Sequence, residues 1–525
     1  MKTAAGLVHH FLEKSARLFP GKAAVVHEHN RADYAWINGW ANRLAHGLIR
    51  AGVRPGDRVV LVCENSVEYV VCYYGILKAG GIAVSMTTDI RPDGLAEALK
   101  ELAPRVLIVS PKAGKAVRAL DPISLGIARV MVIGPGPAAQ SLRREAASFP
   151  EDLAACPEEN PGLAIEPASC AAIVYTSGSA GRPKGVMLSH ANITANTSAI
   201  IEYLGLTSND IQMVVLPFFY VMGKSLLNTH FSVGGTVVIN NKFAYTASVL
   251  KQMAEEGVTG FSGVPSTYAH LLFKSPLAAY RDKLPALRYC SQAGGHMPRS
   301  LKLELLKVLP RHTRLFIMYG ATEASARLTY VPPERLEAKI DSIGIPITGV
   351  ALKILSPEGN ELMPGKIGEL VARGANIMLG YYGDEEATKK VLDGDGYHTG
   401  DLGYRDEQGF FYVTERKDDQ IKVGGHRINP REIEDTIIES RLASECLVLG
   451  VPDALQGRRL AGLVVPVRET AETIEGILKY CAAKLPKYKV PGSLRIVKDI
   501  PKTSSGKPDR GRSLKFFETD RVAER

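Results

Sequence analysis

The chain has 525 residues, 45% of them hydrophobic, and carries a formal charge of +9. This length supports large cores and more than one domain, and a mean hydropathy near zero fits a soluble globular protein. Seven scattered cysteines without a CxxC pair argue against a disulfide framework or a zinc site, the twelve histidines include no HExxH, and the nearest candidate for a membrane span, 67–84, is broken by Glu68, Lys78, Gly80 and Gly81.

Residues 1–19 read as an amphipathic helix, because a His pair and Glu13 fall where a signal peptide needs its apolar core, so the expected location is cytoplasmic. Trp36, Leu44 and Leu48 recur at helical spacing until Gly52 stops the helix. A strand over 56–63, a helix over 67–78 and a strand over 80–84 follow. The alternation recurs with strands at 106–109, 130–133, 212–216 (with a helix from Lys224), 236–239 and 258–262, while 135–165 reads as a loose surface connection.

Such alternation predicts the α/β class, with two stacked α/β layers that each have their own helix-covered sheet. After Ser342, short strands and turns such as ALKIL, GELVARG and GYYGDEEATKKVL suggest a small β-rich subdomain. From Ile421 an α+β pattern begins, with a helix over 430–440, strands over 446–450 and 460–465, a helix over 472–485 and a strand near 494–497. The expected domains are 1–417 and a smaller, mobile 418–525. From Asp418 onward there are 20 Lys and Arg against 16 Asp and Glu. Without an aromatic and basic RNA-binding motif, that surplus favours small phosphorylated ligands over nucleic acid, a solvated basic face being the plainer alternative.

Four stretches carry candidate chemistry. In AAIVYTSGSAGRPKGVMLSH (171–190), Thr176, Ser177, Gly178, Ser179 and Lys184 lie in a loop of hydroxyls, glycines and a lysine suited to polyphosphate, although no GxxxxGK[ST] is present and an ordinary hairpin turn would look similar. In MYGATEAS (318–325), Tyr319 offers a face for a base, Thr322 a hydroxyl for phosphate and Glu323 a hard carboxylate for Mg²⁺. A core strand followed by a helix cap is the other reading. Asp401 in a tight TGD turn and Arg416 after a hairpin suit a sugar, or are surface residues. Lys507 in PKTSSGKPDR sits in a loop able to carry a lysine into a cleft, or in a disordered tail.

Together and in this order, YTSGSAGRPKG, YGATE, TGDLGYRDEQGFFYVTERKDDQIKVGGHRINPREIE and PKTSSGKPDR resemble the adenylate-forming superfamily of acyl-CoA synthetases, peptide-synthetase adenylation domains and beetle luciferases. The resemblance covers essentially the whole chain. It implies that Thr176, Ser177, Gly178, Ser179 and Lys184 grip the β- and γ-phosphates of ATP, that Ala293, Gly294 and Gly295 line one face of adenine and Tyr319 the other, and that Asp401 and Arg416 bind ribose. It further implies that Thr322 touches the α-phosphate, Glu323 holds Mg²⁺, Lys507 bridges the carboxylate and α-phosphate, and Asp418 is the hinge. Lys422, Gly424 and Gly425 would serve the second half-reaction, in which coenzyme A attacks.

Two departures stand out: Ala180 replaces a common Thr, and Tyr220 replaces a common His. Tyr220, Met222, Gly223 and His296 are the expected border of the acyl pocket. The leading expectation is activation of a fatty or other apolar acid to an acyl-adenylate and then to acyl-CoA. Loading of a carrier protein is the alternative, and an amino-acid substrate loses ground because LPFFYVMGKSLL offers no carboxylate for an α-ammonium. A nucleotide sensor without catalysis is disfavoured by the joint presence of Glu323, Asp401, Arg416 and Lys507. Nothing in the residues asks for luciferase-like oxidation, and neither a transmembrane segment nor a particular oligomer is indicated.

Overall fold

Ser66 accepts a hydrogen bond from Tyr69 N and so starts the helix Val67–Lys78, in which every residue except Glu68 is buried. A helix apolar on all sides belongs inside a protein, and this one packs with the helices Tyr34–Arg50 and Val221–Val233 into the largest core. In this computed structural model the described residues are 6–118, 120–133, 147–149, 153–176, 183–416, 420–423, 426–453, 457–503 and 507–522.

That core is shared by two sheets. The first runs, in spatial order, through Gly380–Tyr381, Lys184–Ser189, Cys170–Thr176, Ile82–Met86, Arg58–Val62, Val106–Val109, Arg129–Ile133 and Ala147–Phe149. The second runs through Ile345–Pro346, Thr329–Val331, Arg314–Tyr319, Tyr289–Gln292, Gly260–Gly263, Ile211–Val214, Thr236–Ile239, Ala23–His27 and Asn30–Asp33. Their centres are parallel and buried, which the unbroken β-branched runs require. A four-stranded antiparallel sheet, Val350–Leu355, Gly368–Gly374, Tyr397–Arg405 and Phe411–Arg416, forms the β-rich portion.

The C-terminal domain has its own cores. The helices Pro430–Glu439 and Thr473–Lys484 pack with the strands Ala443–Asp453, Gly457–Pro466 and Ser493–Ile496. The expected class, a large α/β N-terminal domain followed by a small one, is therefore present. Residues 417–419, where the boundary and Asp418 were placed, lie outside the described residues.

Three expectations need correction. Trp36 is 45% exposed, and the buried stripe of its helix is instead Ile37, Ala41, Leu44, Ala45 and Leu48. The described part of the connection at 135–165 is not loose, since Leu153 and Cys156 are buried against Gly47 and Arg43 pairs with Glu158 at 2.6 Å. Within GYYGDEEATKKVL, Gly380–Tyr381 crosses to the edge of the first sheet, and Glu385–Val391 is a helix whose Ala387 N–H is capped by Asp384 at 2.9 Å.

Candidate active site

The strands Cys170–Thr176 and Lys184–Ser189 pair in antiparallel fashion with Thr176 opposite Lys184. This register brings both ends of the Gly and Ser loop to the wall of one cleft of about 1260 Å³. Ser177, Gly178 and Ser179 lie outside the described residues. The Lys184 ammonium sits 4.7 Å above the Tyr381 ring, so the edge strand that arrives late in the sequence supplies an aromatic seat for it.

The strand Arg314–Tyr319 ends at the same cleft, and Gly320, Ala321, Thr322 and Glu323 line it. Ser325 and Ala326 both have positive φ (56° and 123°), which turns the chain back so that Leu328 N–H reaches the Tyr319 carbonyl at 2.9 Å. Gly320 makes the turn possible, because a Cβ there would collide with the Ala326 carbonyl and press Arg327 Cα at 2.8 Å. Glu323 Oε1 accepts from the Tyr381 hydroxyl at 2.9 Å, an arrangement that, with burial, raises the phenol's pKa. Glu323 Oε2 has no hydrogen-bond partner among the described residues.

Asp401 and Arg416 are directly opposed on antiparallel strands. Arg416 Nε donates to Asp401 Oδ1 at 2.8 Å, and the Tyr319 hydroxyl donates to Asp401 Oδ2. The carboxylate holds Arg416 even further above its ordinary pKa and, together with burial, keeps Tyr319 protonated. These three residues form one unit: Arg416 lines the cleft, and Asp401 is buried behind it.

Lys507 belongs to the C-terminal domain, yet it lines the cleft together with Thr176, Lys184, Thr322 and Glu323 of the large domain. Its loop is closed at the base, where Thr503 N–H donates to the Lys507 carbonyl at 2.8 Å and Asp509 N–H to the Pro501 carbonyl at 2.8 Å. Ala293 and Gly294 also line the cleft, and Gly295 is the next residue, its carbonyl accepting from Gln292 Nε2 at 2.9 Å. Lys422 is on the hairpin formed by Ile421–Val423 and His426–Ile428, and Gly424 and Gly425 lie outside the described residues.

Of the four expected pocket residues, Tyr220 and Met222 line the cleft and two do not. Gly223 is closed off, since a Cβ on it would run into the Pro217 carbonyl; it is a packing contact between the helix Val221–Val233 and the preceding turn. His296 faces the C-terminal domain, with Nε2 2.8 Å from Asp435 and Nδ1 accepting from Arg431 Nη2. A charged interdomain contact satisfies both ring nitrogens, which no apolar pocket does.

That contact joins the segment before the helix Arg299–Val308 to the helix Pro430–Glu439, and it is accompanied by Arg441 to Glu304 at 3.1 Å and by Asn429 Nδ2 to the Thr414 carbonyl at 2.7 Å. Burial pushes the Asp435 carboxyl up to about 6, against the pull of Arg431 and Lys302. Part-exposed pairs of this kind contribute about 1 kcal/mol. We therefore expect Asp435→Ala to loosen the packing of the C-terminal domain on the large one, read as limited proteolysis between the domains that is about fivefold faster than in the parent. An unchanged cleavage rate would mean that the contact does not favour this arrangement of the domains.

Several cleft residues had no signal in the sequence. Glu369, Tyr381, Tyr397, His398 and Arg327 line it. His398 bridges Glu369 and Asp393, each at 3.1 Å, and the Glu369 carboxylate also accepts from Gly400 N–H at 3.3 Å, which fixes the turn before Asp401. Only the aromatic pair in GYYGD hinted at Tyr381.

Lys224, on the helix that carries Met222, is 3% exposed, and among the described residues its ammonium meets only the Ser85 hydroxyl at 3.4 Å and the Tyr73 ring at 5.0 Å. Burial lowers its pKa to about 7. The unfolded chain therefore binds an extra proton between about pH 7 and 10.5, so this group's contribution to stability rises with pH across that window and its cost is full below it. Lys224→Met should raise stability at pH 6.5 by on the order of 3 kcal/mol and by much less at pH 10. Denaturant midpoints of variant and parent at the two pH values check this; a difference independent of pH would refute it.

The family model described as AMP-binding enzyme matches residues 12–382, and that of the AMP-binding enzyme C-terminal domain matches 432–507. A feruloyl-CoA synthase of Amycolatopsis sp is 32% identical over 510 residues, covering 96% of this chain and 98% of its own. A long-chain-fatty-acid–CoA ligase of Bacillus subtilis is 31% identical over 527 residues, with 96% and 93% covered. Among solved structures, ATP-bound MatB from Rhodopseudomonas palustris superposes with a TM-score of 0.84 at 26% identity, covering 98% of this chain and 99% of that one.

Proposed function

Because the chain belongs to the AMP-binding enzyme family, we propose that it is an AMP-forming acid–CoA ligase acting on an organic acid with an apolar body. The observation that carries this reading is Lys507 of the small domain lining one cleft with Thr176, Lys184, Thr322 and Glu323 of the large one. A carboxylate oxygen attacks the α-phosphorus of ATP, the bond to pyrophosphate breaks, and acyl-AMP forms; the thiolate of coenzyme A then displaces AMP and the thioester results.

The first step brings two anions together, so cations must stand where charge accumulates. Lys507 supplies one at the α-phosphate, and Lys184 with Thr176 holds the β- and γ-phosphates. The Thr322 hydroxyl donates to the α-phosphate, the Tyr319 ring stacks on adenine, and Arg416 with Asp401 meets the ribose.

Magnesium fits the donor set: no group of three or more His, Cys, Asp or Glu among the described residues makes a protein-only site, whereas Glu323 presents one hard oxygen without a partner beside the phosphate residues. A single carboxylate plus phosphates is how Mg²⁺ is commonly bound, and such an ion would neutralise charge on the departing pyrophosphate. The apolar part of the acid would rest on Val221, Met222, Val264 and Ala326, all on the cleft wall.

The test is a panel of carboxylic acids with ATP and Mg²⁺, with and without coenzyme A or a phosphopantetheinylated carrier protein, scored for pyrophosphate, AMP and thioester. AMP and thioester formed only with coenzyme A is the expected result. No pyrophosphate from any acid would overturn the assignment.

A further inference from the structure

Arg327 lines the cleft but is only 2% exposed. Its Nε donates to the Met318 thioether at 3.4 Å and its Nη1 to the Ala326 carbonyl at 3.1 Å, and the group lies beside the Tyr203 hydroxyl. None of these is an anion, and among the described residues no carboxylate pairs with it. Arg416, the other guanidinium on the wall, has Asp401. An arginine carries five donors and cannot shed its proton in a protein, so its burial without a counter-charge is costly unless a partner arrives.

The residue is also held in place. Asn196 Nδ2 and Asn376 Nδ2 both donate to the Arg327 carbonyl, at 2.9 and 3.0 Å, and its Cα packs against Gly320. It thus stands on the turn that carries Thr322 and Glu323, bordered by the apolar lining of Ala326, Val221, Met222 and Val264. An apolar surface with a fixed cation matches a molecule of the same pattern.

We propose that Arg327 is a specificity residue that pairs with a second anionic group, a carboxylate above all, on the end of the acid remote from the reacting carboxyl. The preferred substrate is then an acid with an apolar body and two anionic ends. This assignment rests on the ligase reading and narrows it.

The experiment compares matched pairs on the full chain, α,ω-dicarboxylic acids against monocarboxylic acids of equal length, and benzoic acids with and without a carboxylate-bearing side chain. Each pair is scored by kcat/KM for pyrophosphate release. The parent should prefer the diacid member of at least one series by about 20-fold or more, since a site built around a polar group rejects the analogue that lacks it. Arg327→Met should cost that diacid about 100-fold, leave its neutral counterpart within about threefold, and be partly restored in Arg327→Lys.

A parent that prefers the monoacids throughout, or an Arg327→Met enzyme that loses both members equally while still binding ATP, overturns the proposal. Should Arg327→Met fail to bind ATP, the parent's preference decides alone. Pyrophosphate from monoacids without diacid preference sinks only the role of Arg327, whereas no pyrophosphate from any acid sinks the ligase reading itself.

Discussion

Lys507→Ala is expected to lower the rate of pyrophosphate release by about 100- to 1000-fold, the loss typical of removing one donor aimed at developing charge, while thioester formation from preformed acyl-adenylate and coenzyme A stays within a few-fold of the parent. The side chain is exposed, and the hydrogen bonds that close this stretch are made by backbone atoms, the Lys507 carbonyl among them, so the substitution spares the fold. What it would remove is the cation proposed to stand between the attacking carboxylate and the α-phosphate. Single-turnover measurement of each half-reaction reads the split, and equal loss in both would overturn the division of labour. Lys422→Ala is the mirror experiment, expected to spare adenylation and slow the thiol step.

The second large effect is expected at Asp401. Two donors from different elements, Arg416 Nε and the Tyr319 hydroxyl, converge on its carboxylate, so Asp401→Ala leaves a guanidinium and a buried phenol without their acceptor. Removing one member of a buried pair costs 3 to 5 kcal/mol; the Arg416 side chain is 47% exposed, and we therefore expect about 2 kcal/mol of lost stability after solvent screening. The proposed ribose contact and the orientation of the Tyr319 ring should go with it, and the KM for ATP should rise about 100-fold. Denaturant unfolding and calorimetric titration of ATP check the two parts separately. A stability loss with unchanged ATP affinity would make Asp401 a support for Tyr319 and nothing more.

How far the sequence could be read depends on the range of the interactions involved. The helix Val67–Lys78 and the strands Val106–Val109 and Thr236–Ile239 were expected at the bounds they have, because apolar runs, a Ser cap and β-branched residues act locally. Strand order did not follow from the same signals: Ala23–His27 joins Thr236–Ile239 through a register that only tertiary packing sets. Likewise, His296 gave no sign that it would meet Asp435, 139 residues away. Gly223 looked open because nothing in its neighbours shows that the Pro217 carbonyl folds back over it. Arg327, in SARLTY, is an ordinary charged residue until the turn from Ser325 buries it.

The short strand Gly380–Tyr381 completes the edge of the first sheet beside Lys184–Ser189, a neighbour separated from it by about two hundred residues of chain. On a ribosome, the hairpin that carries Thr176 and Lys184 emerges long before its bordering strand does. Until then it presents an unpaired edge of the kind that invites association with other chains. The Tyr381 ring beneath Lys184 and the Tyr381 hydroxyl on Glu323 arrive in the same event, so nascent chains should gain affinity for nucleotide only once this tyrosine has cleared the exit tunnel, and lengths short of it should depend on chaperones.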